Sequence, residues 1–253
     1  MPWKKKLSRT SKNPYREALD QARLYLILDT EVQTYDSLFE IAKQAVTGGV
    51  DILQLRDKKG SVRDILKFSR KLLEFLLTSA KVMKHCGSPY LDLRFPNNVV
   101  PLLVRRSINK KFLAIPFIMN DRVDVALACG ASGVHLGQED LPVSFARKVM
   151  GPEAIIGASC QNFKQAKRAE QEGADYIGFG SVFKTKTKPH RLPMDLKLLE
   201  EVLLKIKIPV FAIGGIDQEN ILTLRQIGVQ RVAVCRAICE VGDVIKAVKF
   251  LMK

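Results

Sequence analysis

The sequence predicts a single α/β domain folded as a closed (β/α)8 TIM barrel. Three observations carry that expectation: a strand-then-helix unit recurs eight times, the strands are near-continuous apolar runs, and 253 residues suffice for one such barrel. Apolar strands without polar alternation imply a parallel sheet covered by helices, and right-handed crossovers repeated eight times can close it. An open doubly wound sheet competes, but its G-x-G-x-x-G fingerprint is absent after the first strand.

The first strand is Leu24–Asp29, and the helix Asp36–Val46 follows with Leu38, Ile41, Ala42 and Ala45 at helical spacing before Gly48-Gly49 stops it. The unit recurs as Val50–Leu55 with Val62–Leu77, Pro116–Met119 with Val123–Cys129, and Gly133–Leu136 with Pro142–Met150. It continues as Ala154–Ala158 with Asn162–Glu172, Tyr176–Gly180 with Met194–Leu204, Pro209–Ile213 with Gln218–Ile227, and Arg231–Cys235 with Val241–Met252. Residues 80–115 are too long for an ordinary connection and read as a basic insertion before the third strand. Residues 1–20 read as a basic extension ahead of a barrel spanning 21–253.

The formal charge of +15 raises the question of a nucleic-acid partner. Its location argues against one. Residues 1–18 carry six Lys and Arg against Glu17, and residues 81–111 carry seven against Asp92, so much of the excess sits in the two least periodic segments. Aromatic residues that could stack on bases are thin there: Trp3 and Tyr15 in one, Tyr90 and Phe95 in the other. Solvated surface is the favoured reading. No apolar run approaches the roughly 18 residues of a membrane span, and the start lacks the apolar stretch of a signal peptide. Five cysteines, with no C-x-x-C pair, suggest neither a disulfide framework nor a zinc site. A soluble protein of the cytoplasm is expected, with a homo-oligomer left open.

In such barrels the reacting residues lie at the carboxyl ends of the strands and in the loops beyond. The second strand ends Gln54-Leu-Arg56-Asp-Lys58, and period-two alternation sends Gln54, Arg56 and Lys58 to one side. The third ends Asn120-Asp121, and Gln138-Glu139-Asp140 follows the fourth. Loop carboxylates beside fixed cations suit a Mg²⁺ ion that takes further ligands from substrate phosphate. Ser159 ends the fifth strand, and Lys184-Thr185-Lys186-Thr187-Lys188 after the sixth offers hydroxyls and charge to an anion. Ile213-Gly214-Gly215-Ile216 lets a phosphate approach backbone N–H groups, and Cys235-Arg236 ends the last strand nearby. Together these residues describe two anionic ligands and a metal, with no nucleophile and base. Such machinery stabilises a departing diphosphate. His135 reads as an inward, hydrogen-bonded structural histidine rather than a base.

From Leu24 to the C-terminus, leaving out 80–115, the sequence resembles the thiamine phosphate synthase family. The resemblance rests on Gln54-Leu-Arg-Asp-Lys58, Asn120-Asp-Arg-Val-Asp-Val-Ala126 and Gly133-Val-His-Leu-Gly-Gln-Glu-Asp-Leu-Pro142. It implies Asp121 and Asp140 as Mg²⁺ ligands. Gln54, Arg56, Lys58, Ser159 and Lys188 would contact a pyrimidine diphosphate, and Thr185, Thr187 and Gly215 a thiazole phosphate. The implied reaction joins 4-amino-5-hydroxymethyl-2-methylpyrimidine pyrophosphate to 4-methyl-5-(2-hydroxyethyl)thiazole phosphate, releasing pyrophosphate by a dissociative path. Departures stand at Arg236, where the family commonly has Ser, at Ser181 after Gly180, and at Lys184, both where it has Pro. Two alternatives remain: a thiazole tautomerase-like isomerase, which would not require the diphosphate cations, and a barrel relative whose basic segments grip a polyanion.

Overall fold

A computed structural model describes residues 14–84, 115–187 and 191–253. Eight parallel strands pair in sequence order and the last pairs with the first, so the sheet is a closed barrel. They are β1 (Leu24–Asp29), β2 (Ile52–Arg56), β3 (Phe117–Asn120), β4 (Gly133–Leu136), β5 (Ile155–Cys160), β6 (Tyr176–Phe179), β7 (Val210–Ile213) and β8 (Val232–Val234). Between and around them run α1 (Pro14–Gln21), α2 (Tyr35–Gly48), α3 (Val62–Lys84), α4 (Val123–Cys129) and α5 (Val143–Met150). The second half adds α6 (Phe163–Gln171), α7 (Leu196–Lys205), α8 (Ile221–Gln226), α9 (Arg236–Cys239) and α10 (Val244–Leu251).

Helix boundaries follow local chemistry. Thr34 caps α2 by accepting from the Ser37 N–H, and Gly49 ends it in the left-handed region at φ 100°. Asn162, Asp195 and Asp243 cap α6, α7 and α10 through their side-chain oxygens. The buried stripe of α2, Leu38, Ile41, Ala42 and Ala45, is the one its spacing predicts.

Two apolar layers result from the alternation along each strand. Outward residues such as Leu24, Leu26, Leu28, Leu53 and Leu55 pack with the helices. Inward residues Tyr25, Ile52, Ile118, Ile155, Tyr176 and Phe211 form a separate interior cluster at the amino ends of the strands. Leu19 and Ala22 join that interior cluster, so α1 plugs the lower end of the barrel.

This placement corrects the expected boundary at residue 20. Residues 14–21 belong to the barrel because Ala18 and Leu19 are buried in it. The insertion's expected start is also displaced: α3 continues to Lys84, and Ile115 is buried before β3 begins. Residues 1–13 and 85–114, which hold most of both basic segments, lie outside the described residues. Strand β2 begins at Ile52 rather than Val50, and α9 is a short helix that periodicity could not register at this length.

Leu19, 2% exposed, tests whether α1 is part of the cooperative unit. Leu19→Ala is expected to lower the unfolding free energy by about 2–5 kcal/mol, read from urea denaturation; an unchanged midpoint would put α1 outside that unit.

Candidate functional site

The carboxyl ends of the strands surround a cavity of about 290 Å³. Inward positions of successive strands deliver its wall: Asp29 from β1, Gln54 and Arg56 from β2, Asn120 from β3, His135 from β4 and Ser159 from β5. The opposite wall is made by Gly214, Gly215, Cys235 and Arg236 after β7 and β8, and by Thr185 and Thr187 in the loop after β6. One cavity thus collects nine of the residues singled out from sequence: Gln54, Arg56, Asn120, Ser159, Thr185, Thr187, Gly215, Cys235 and Arg236.

Arg56 is held rather than free. Its Nη1 donates to Asp29 Oδ2 and Glu31 Oε2, both at 2.7 Å, and Asp29 is completely buried. Burial works against the Arg56 charge, but the hydrogen bond to Glu31 and the field of Asp29 outweigh it and raise the guanidinium above its ordinary value. In turn, the hydrogen bond from Arg56, followed by that from Lys59, holds the Glu31 carboxyl below the usual range.

Lys58 departs from the alternation argument. Strand β2 stops at Arg56, so Lys58 extends from the following loop and pairs with Asp121 instead of lining the cavity. Asp121 is the one described non-glycine residue with positive φ, at 62°. Aspartate tolerates this region better than most residues, and such backbone settings concentrate at functional positions. Its N–H donates to the His135 carbonyl at 2.8 Å, tying the β3 end to β4.

Asp140 meets Asp121 from the loop after β4, with Oδ2 accepting from the Gly137 N–H at 2.6 Å. Burial first, and the hydrogen bond with Asp121 second, push the Asp140 carboxyl upward. Two adjoining carboxylates are hard oxygen donors and fit a hard divalent ion. Among the described residues no cluster of three or more His, Cys, Asp or Glu side chains could hold a metal alone. An ion at this pair would complete its shell with water and substrate oxygens, the habit of Mg²⁺.

The Gly-Gly end is dictated by close packing and by its backbone conformation. Gly214 and Gly215 have φ of 105° and 66°, and a Cβ on them would lie 2.2 Å from Ser181 Oγ and 2.4 Å from the Lys184 carbonyl oxygen. The loop after β6 is tied to β7 by Val182 N–H to Ile213 O and Phe183 N–H to Gly214 O, both 2.9 Å. That loop brings Lys184, Lys186 and Arg191 to the cavity beside the two threonines. Thr185 Oγ1 accepts from the Thr187 N–H at 3.2 Å. Lys188 lies outside the described residues. Arg236 pairs with Glu240 one turn on, and both line the cavity.

At Cys235 the hydrogen bond with Cys239, then burial, hold the thiol well above its ordinary value. Asp29 and Arg191 line the cavity without having been singled out in sequence. Asp29 was reachable by the inward rule, since it lies two residues beyond Ile27 and four beyond Tyr25 on one strand. Arg191 lies well past its strand, where no periodicity points.

Fold and site together define a (β/α)8 barrel enzyme whose mouth gathers arginine and lysine side chains beside a Gly-Gly turn. The chain belongs to the thiamine monophosphate synthase family, whose model matches residues 104–238. It is 38% identical over 223 residues to the thiamine-phosphate synthase of Halalkalibacterium halodurans, covering 88% of this chain and 90% of that protein. A second such protein, from Clostridium novyi, is 36% identical over 230 residues, covering 90% and 96%. Among solved structures, thiamine phosphate pyrophosphorylase from Pyrococcus furiosus superposes with a TM-score of 0.69 at 31% identity, covering 93% of this chain and 95% of that one. A 3-hexulose-6-phosphate synthase, with a TM-score of 0.56 and 16% identity, shares the fold alone.

Asp29→Ala should destabilise the chain by about 3 kcal/mol, the lower end for breaking a buried ion pair because Glu31 remains. Chemical denaturation measures this; a loss below about 0.5 kcal/mol, the size of a surface change, would show that the pair is not buried in solution.

Proposed function

We propose that this chain makes thiamine phosphate from a 4-amino-2-methylpyrimidinylmethyl diphosphate and a hydroxyethylthiazole phosphate, releasing pyrophosphate. The observation that carries the reading is the convergence of Arg56, the Lys58–Asp121–Asp140 group and the Gly214-Gly215 end on one rim. A barrel mouth with two separate anion-holding walls suits a reaction that brings together a diphosphate and a monophosphate. The family relationship supports the same reading.

In this reading Arg56, Lys58 and Lys188 take up the diphosphate, with Gln54, Asn120 and Ser159 orienting the pyrimidine end. Thr185, Thr187, Gly215, Cys235 and Arg236 surround the thiazole phosphate. The methylene C–O bond breaks with its electron pair leaving on the diphosphate oxygen, and the thiazole nitrogen lone pair forms the new C–N bond. Arg56 and Lys58 stabilise the charge that builds on the departing oxygens. Asp121 and Asp140 would hold Mg²⁺, which when bound would neutralise diphosphate charge. Asp29 and Glu31 keep the Arg56 guanidinium aimed along the cavity wall.

The rival isomerase would act on the thiazole alone and leave the diphosphate cations without a task, so the convergence on one rim favours the transferase. The free thiols Cys129, Cys160, Cys235 and Cys239 suit a reducing setting and support a cytoplasmic place for it. Among the described residues no helix is long and apolar enough to cross a membrane.

Incubating the purified chain with both substrates and Mg²⁺ should yield thiamine phosphate and pyrophosphate; EDTA should stop turnover and added Mg²⁺ restore it. Asp121→Ala and Lys58→Ala should each cost about 100-fold or more in kcat/KM with the circular dichroism spectrum unchanged. Near-normal rates for both variants, or product from the thiazole alone, would overturn this assignment.

A further inference from the structure

Beneath the cavity, five polar side chains from five strands form one hydrogen-bonded chain through the barrel interior. Gln54 Nε2 on β2 donates to Tyr25 Oη on β1 at 2.6 Å. Tyr25 Oη lies 2.8 Å from Tyr176 Oη on β6. Tyr176 Oη lies 3.0 Å from His135 Nδ1 on β4, and His135 Nε2 lies 3.0 Å from Ser159 Oγ on β5. Tyr25, Gln54, His135 and Tyr176 are all buried, and Gln54, His135 and Ser159 line the cavity.

The backbone is shaped around this chain. Gly157 is the register partner of Tyr176, and a Cβ there would stand 2.1 Å from Tyr176 Cζ. A Cβ on Gly178 would stand 3.3 Å from His135 Cε1. Glycine at both inward positions leaves room for rings that reach across the barrel.

Proton counting gives the chain a direction. An amide nitrogen only donates, so the Tyr25 oxygen accepts from Gln54 and sends its single proton to Tyr176. In the arrangement that gives every hydroxyl proton of this chain an acceptor, Tyr176 accepts from Tyr25 and donates its own proton to His135 Nδ1. An accepting Nδ1 carries no proton, which leaves the ring neutral with its hydrogen on Nε2, pointing at Ser159. Ser159 accepts that hydrogen, and its own hydroxyl proton remains for the cavity. Burial keeps both phenols protonated by raising them far above neutrality.

We propose that this relay locks His135 as the neutral Nε2–H tautomer and thereby presents Ser159 to the bound substrate as a hydrogen-bond donor, with Tyr25, Tyr176 and His135 as positioning residues. The inference deepens the transferase reading and rests on it for the occupant: a diphosphate oxygen accepts from Ser159, and the bond strengthens as charge collects on the leaving group.

The test combines ¹⁵N spectroscopy of histidine-labelled chain with steady-state kinetics. The His135 signal, assigned by its loss in His135→Asn, should show the Nε2–H tautomer at neutral pH. Tyr176→Phe removes the donor to Nδ1 and should mix the tautomers, lowering kcat about tenfold with the KM for thiazole phosphate within about twofold. Tyr25→Phe removes the hydroxyl that fixes Tyr176 as a donor and should also mix the tautomers, to a smaller extent than Tyr176→Phe. An Nδ1–H or doubly protonated ring in the unaltered chain, or a Tyr176→Phe chain with normal kcat, overturns the proposal. The spectrum needs no substrate, so a chain that makes no thiamine phosphate would defeat the functional reading while the tautomer result still decides the relay.

Discussion

The whole site depends on one geometric constraint: in a closed parallel barrel every second residue of every strand must point inward. Eight strands therefore send eight short ladders of side chains up a common axis. At the amino ends the ladders are apolar and aromatic, sealed by Leu19 and Ala22 of α1. The hydroxyls of Tyr25 and Tyr176 in that interior cluster reach up to Gln54 and His135, and at the carboxyl ends the ladders become Asp29, Arg56, Asn120 and Ser159. A gradient from dry core through a directed polar layer to a charged mouth is built from alternation alone.

Charge in that mouth is tolerated because it is paired. Asp29 is fully buried, and its partner Arg56 is shared with the more exposed Glu31. Desolvation of both ions is offset by short contacts and by the second carboxylate, which keeps the guanidinium charged and in place. On the neighbouring strands the balance differs: two carboxylates, Asp121 and Asp140, face one lysine. The proposed divalent ion would find its hard oxygen donors in that excess of carboxylate over cation.

The architecture was legible in sequence because each strand-and-helix unit carries its own periodicity and stops at glycine or a capping residue. The nine cavity-lining residues were legible because strand ends are the productive end of any such barrel. What escaped has physical reasons. Helix α1 is short, and its burial arises from plugging a hole made by distant strands, so local pattern could not place residues 14–21 in the barrel. Lys58 was placed correctly beside the carboxylates for an incorrect reason, since the strand ends before it and the loop carries it to Asp121. For His135 the apolar strand neighbours point to an inward or hydrogen-bonded ring, but its partners Tyr176 and Ser159 are 41 and 24 residues away and no spacing announces them. Gly157 and Gly178 gave no sequence signal either, because the rings they accommodate come from other strands.

The central claim is that this one rim holds a diphosphate between fixed cations and a carboxylate-bound ion. A crystal structure of the chain grown with inorganic pyrophosphate and Mg²⁺ tests it most directly. The account predicts pyrophosphate oxygens within hydrogen-bond reach of Arg56 and Lys58, about 2.7–2.9 Å, with the metal on Asp121 and Asp140 at about 2.0–2.1 Å. Pyrophosphate seated elsewhere on the barrel, with the Lys58–Asp121 pair and Asp140 untouched, would contradict it.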